Sequence, residues 1–141
     1  MKKWIIKEDE TIADIQIEVF GKDEKELFEN ISDAFTSVIT SPGKLSAAKE
    51  VSLKLAAKNI PELVFLFTEK LIYLKDVKQV LFKKGVFQCM FTQKGWTLYG
   101  LLSGQKIAED LPTKIDIKAI TRHKFSVVKN GYYKATLVFD L

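Results

Sequence analysis

Residues 12–20 alternate along their whole length: Ala13, Ile15, Ile17 and Val19 fall on one face, and Asp14, Gln16 and Glu18 on the other. A period of two predicts a half-buried strand, ended by Gly21. The period then lengthens. Leu27, Phe28, Ile31, Ala34, Phe35 and Val38 recur at the spacing of one helical face, with Asp23 placed to cap the helix and Ser41-Pro42-Gly43 to stop it. Val51, Leu53 and Leu55 alternate again and predict a second strand. Asn59-Ile60-Pro61-Glu62 follows, a helix start with Asn as N-cap, Pro in the first turn and Glu three residues after the cap. The second helix is expected over residues 60–75, burying Leu63, Phe67, Leu71 and Leu74.

From Gln79 the chain reads as short strand-like runs broken by Gly85, Gly95, Gly104 and Pro112. Strands are expected over 80–83, 86–92, 96–102, 115–121, 123–129 and 132–140. Asn130-Gly131 between the last two is the preferred pair for a type I′ hairpin turn. Strand, helix, strand, helix and then a run of strands predict one α+β domain over residues 1–141, a two-layer fold with two helices on a mainly antiparallel or mixed sheet.

Composition narrows the function classes. With 47% hydrophobic and 28% charged residues, the 141-residue chain has the balance of an ordinary globular protein. Its apolar runs are too short for a membrane span, and the opening Met1-Lys2-Lys3-Trp4-Ile5-Ile6 meets Lys7, Glu8, Asp9 and Glu10 before a signal-peptide core develops, so a cytoplasmic monomer away from membranes is expected. Cys89 is the only cysteine, which excludes an intrachain disulfide and a thiolate zinc cage. The net charge of +4 would tolerate an anionic partner, but Arg122 is the only arginine, and lysine lacks the fork that reads guanine edges.

The chemistry that remains is sparse. His123 is the only histidine, so a multi-histidine metal site is impossible, and no serine lies in a nucleophile-elbow pattern. Val38 stands where a phosphate loop before Gly43-Lys44 would need its first glycine. What is left is oxygen ligands and a lysine. Asp14 sits in the first clear strand, while Asp140 and the Leu141 carboxylate end the last. If those strands are adjacent, three carboxylates converge, and a hard divalent cation would neutralise them. Lys118, interrupting the apolar Ile117-Lys118-Ala119-Ile120, is the competing neutraliser or else an outward-facing side chain.

These residues carry a resemblance. Asp116-Ile117-Lys118-Ala119-Ile120-Thr121-Arg122-His123 is similar to the E-I-K-A-x-T-Y-H stretch of the archease family, the accessory proteins of the RtcB-type tRNA-splicing RNA ligase. Residues 134–141 resemble that family's final strand, ending in aspartate and one apolar residue, and Ala13-Asp14-Ile15 matches the tail of its H-T-A-D-I motif. Gly21 and Glu26-Leu27-Phe28-Glu29-Asn30 are family-like too, so the resemblance spans the whole chain. It implies a protein cofactor rather than an enzyme, one that promotes guanylylation of the ligase histidine and multiple turnover in tRNA splicing or RNA repair. It further implies a divalent cation, calcium with magnesium or manganese as alternatives, on Asp14, Asp140 and the main-chain or terminal oxygens of Leu141, and a functional role for Lys118. Indirect contact with RNA or nucleotide is compatible with it.

The chain departs from the pattern at Thr11-Ile12 in place of H-T, at Phe67 in place of Trp, at Glu69-Lys70 in place of N-E, and at Arg122 in place of an aromatic. Two other functions are open. A basic RNA-binding module using Lys75, Lys78, Lys83, Lys84 and Lys94 would lose affinity steeply with salt. A small hydrolase built on His123 would show intrinsic turnover that His123→Ala abolishes.

Overall fold

A computed structural model describes residues 3–7 and 14–141. The Thr11-Ile12 departure and Ala13 lie outside the described residues. The elements, in chain order, are β1 (Trp4–Lys7), β2 (Asp14–Gly21), α1 (Glu24–Ile39), a 3₁₀ turn (Pro42–Lys44), β3 (Lys49–Ala57), α2 (Ile60–Asp76), β4 (Val80–Thr92), β5 (Gly95–Lys106), β6 (Ala119–Lys129) and β7 (Tyr133–Asp140).

Both helices form where caps and periodicity place them. Asp23 Oδ1 accepts from the Glu26 amide at 2.9 Å, and Asn59 Oδ1 accepts from the Glu62 amide at 2.9 Å. Each satisfies one of the orphan donors of a first turn. Leu27, Phe28, Ile31, Leu63 and Phe67 are fully buried, each such side chain contributing roughly 1.5–3 kcal/mol. Phe67 meets Phe28 edge-on at 5.4 Å and Phe87 edge-on at 5.3 Å, tying α2 to α1 and β4.

The expected α+β arrangement is present, as two antiparallel sheets. Their strand orders are β1-β2-β7-β6 and β3-β5-β4. Each helix reaches both: α1 packs on β2 and β4, and α2 on β6 and β3. Polar groups on the inner face of α1 bond to sheet backbone. Thr36 Oγ1 donates to the Phe82 carbonyl at 2.8 Å, and Asn30 Nδ2 to that of Phe20 at 2.7 Å. Close approach elsewhere depends on glycine, for a Cβ at Gly104 would lie 1.9 Å from the Leu81 carbonyl oxygen.

Four expectations are corrected. Residues 80–83 and 86–92 are one strand, and residues 119–129 another, because a bulge between Phe82 and Lys84 and a longer irregularity between Thr121 and Ser126 absorb extra residues without ending the ladder. Lys124, with φ of 61°, sits in the second of these. The hairpin joining β6 to β7 pairs Lys129 with Tyr133, so its loop has three residues. Gly131 has φ of 77° but Asn130 does not share the positive φ that a type I′ turn requires of both, so the turn is not type I′. Residues 115–118 are not a strand; β6 starts at Ala119. Finally, Trp4–Lys7, read from sequence as an abortive signal-like start, is an edge strand paired with β2. Among the described residues, no helix is long and apolar enough to cross a membrane.

Candidate metal and partner-contact site

β2 and β7 are neighbours, and their register sets Asp14 directly opposite Asp140. Cross-strand partners in an antiparallel ladder share a face with Cβ atoms about 4.5–5.5 Å apart. The next strand adds Ala119 to the same row. One residue further in, Ile15, Phe139 and Ile120 point to the core, and Phe139 and Ile120 are buried there. Leu141 packs partly against that core.

Two acids on the same polar face behave differently. Glu18 receives Lys134 at 2.8 Å and Lys7 at 3.1 Å. The hydrogen bond from Lys134 is the main reason its pKa lies below the ordinary glutamate value; partial burial opposes this and Lys7 reinforces it. Asp140 is exposed and, among the described residues, its carboxylate has no ion pair. The Lys118 ammonium forms no ion pair among the described residues; its main-chain N–H donates to the Asp140 carbonyl oxygen at 2.9 Å. The Lys118 side chain is exposed and lines a small cavity with Glu69, Ile72, Ala119 and Ile120.

Two facing carboxylates with a main-chain oxygen nearby are an all-oxygen donor set, which suits a hard cation such as Ca²⁺ that completes six to eight ligands with water or a partner's oxygens. Among the described residues no group of three or more acidic, histidine or cysteine side chains could form a fuller cage. Two carboxylates and the Leu141 oxygens are fewer ligands than Ca²⁺ takes, so a cation there would need water or a partner for the rest.

Two further positions resolve differently from their sequence reading. His123 is exposed on β6, with its main-chain N–H bonded to Thr121 Oγ1 at 3.2 Å, and no catalytic acid stands with it among the described residues. Arg122 lies 3.8 Å over the Phe65 ring and grips Glu62 at 2.5 and 3.1 Å, so the departure from an aromatic is absorbed by α2. Lys75, read from sequence as a surface cation, is only 5% exposed. Burial pulls its pKa down, but hydrogen bonds to Asp116 and Asp76 outweigh that and hold it above the ordinary lysine value. No periodicity signals this residue, because its partner lies 41 positions away.

The sequence profile of the Archease protein family (MTH1598/TM1083) matches residues 7–141. The chain is 30% identical to protein archease of Pyrococcus furiosus over 146 residues, covering 100% of both, and 27% identical to that of Methanothermobacter thermautotrophicus over 130 residues, covering 92% of this chain and 93% of the relative. The solution structure of Methanobacterium thermoautotrophicum protein 1598 superposes with a TM-score of 0.84 at 24% identity, covering 100% of both chains, a likeness of fold.

Proposed function

The chain belongs to the archease family, and from that premise we propose that it is a protein cofactor of an RtcB-type RNA ligase rather than an enzyme. In this reading it promotes guanylylation of the ligase's histidine and repeated turnover during tRNA splicing or RNA repair. The observation that carries the residue assignment is the register that faces Asp14 with Asp140 while the Lys118 amide is bonded to the Asp140 carbonyl. Asp14, Asp140 and the main-chain oxygens of Leu141 hold a divalent cation, calcium in first place and magnesium or manganese otherwise. The cation neutralises the facing carboxylates and leaves open positions for oxygens supplied by the ligase or by nucleotide phosphate. Lys118, exposed beside it, supplies a positive charge to the same phosphate or to an acidic group of the ligase.

The test is ligase guanylylation with and without this protein. Asp140→Ala and Lys118→Ala should each abolish the stimulation while the thermal unfolding midpoint stays within about 3 °C of the parent. Undiminished stimulation by both variants refutes the assignment. An absence of stimulation by the parent protein refutes the ligase role itself.

A further inference from the structure

Lys118 projects from a segment that is not a strand, so something other than a ladder must fix where its side chain emerges. Residues 107–118 cross the molecule from β5 to β6 with few regular bonds: Thr40 Oγ1 donates to the Pro112 carbonyl at 2.6 Å, and the Lys114 amide to that of Ile39 at 2.7 Å. The last three residues before β6 are held by three separate devices. Asp116 Oδ1 accepts from Lys75 Nζ at 2.8 Å, Ile117 is fully buried, and the Lys118 amide reaches Asp140. The segment lines an open cleft of about 540 Å³ together with Ile39, Lys75 and Gln79.

We propose that Lys75 is a positioning residue: its ion pair with Asp116, spanning the cavity edge between the end of α2 and the crossing segment, sets the point from which Lys118 reaches the ligase. This inference rests on the functional role of Lys118 proposed above. Stability alone is a poor account of the pair, since the Asp116 side chain is 71% exposed and Asp76, the other acid on Lys75, is 49% exposed. Lys75 is buried, so losing Asp116 carries a stability cost, which Asp76, still bonded to Lys75, limits. Geometry is a better one: only Ile117 separates the tethered carboxylate from the tethered amide, and misplacing a reacting group by about 1 Å can cost on the order of a hundredfold in rate.

The experiment compares Asp116→Ala, Lys75→Met, Asp116→Glu and Lys118→Ala in the full chain, reading ligase guanylylation, amide exchange at Lys118 and the unfolding midpoint. Asp116→Ala and Lys75→Met are expected to reduce stimulation by about tenfold and to speed Lys118 amide exchange by about tenfold, with the protein still folded at the assay temperature. Asp116→Glu, which keeps the carboxylate, should recover most of both. Asp116 is exposed, so its variants carry the test if Lys75→Met does not fold. Native stimulation and native exchange in Asp116→Ala, with stimulation lost in Lys118→Ala, overturn the positioning role. Full stimulation by Lys118→Ala overturns the parent reading instead, and the exchange rates then decide the tether by themselves.

Discussion

The two sheets solve opposite problems. In the sheet β3-β5-β4, glycine brings backbones together: Gly104 and Gly100 are buried on β5, and a Cβ on Gly100 would lie 2.9 Å from the Phe87 ring. Its other face carries Val86, Met90, Tyr99 and Leu101, all exposed, and offers little chemistry. In the sheet β1-β2-β7-β6, the polar face carries acids at Asp14, Glu18 and Asp140, and register decides what each meets. Glu18 meets two lysines; Asp14 and Asp140 are set opposite each other in the ladder. One sheet gains close packing by removing side chains, and the other places its acids by register.

The largest expected effect falls on the glycine sheet. Gly104→Ala forces a methyl into the Leu81 carbonyl and should cost at least about 3 kcal/mol in denaturant unfolding, while ligase stimulation per folded molecule is unchanged. Glu18→Gln should cost about 1 kcal/mol and remove a pH dependence. Because the folded pKa of Glu18 lies below the ordinary 4.5, its contribution is present above that value and is lost as pH falls through the folded value. Urea midpoints of parent and variant should therefore converge on acidification below 4.5; a constant gap down to the lowest pH would show that the lysine contacts do not matter. The smallest effect is chemical. Burial, aided by the Glu24 charge, pushes the Cys89 thiol up to about 11, so reaction with a disulfide reagent at neutral pH should be far slower than for a free thiol and should accelerate in denaturant.

Much of this arrangement was legible along the chain, and the gaps have physical causes. Asp23 and Asn59 announced both helices because capping is local, and the alternation from Ile15 to Val19 announced β2 because one face is buried. Asp14 and Asp140 could be named from sequence and family resemblance, but their facing register needs the pairing of β2 with β7. β1 escaped notice because four residues are too few for periodicity to speak. The first split falls at Gly85, which breaks the pattern in sequence, while the ladder absorbs a bulge beside it and continues. Lys75 was misread as surface because a lysine in the last turn of a helix is usually solvated, and only the distant Asp116 explains its burial.

The facing carboxylates are the centre of the account, and a calcium titration followed calorimetrically tests them most directly. The parent protein should bind one Ca²⁺ per chain, and Asp14→Asn or Asp140→Asn should weaken that binding by at least about tenfold, with Glu18→Gln unaffected. No calcium heat from the parent, or equal affinity in the Asp140→Asn variant, would contradict the assignment of this pair as a cation site.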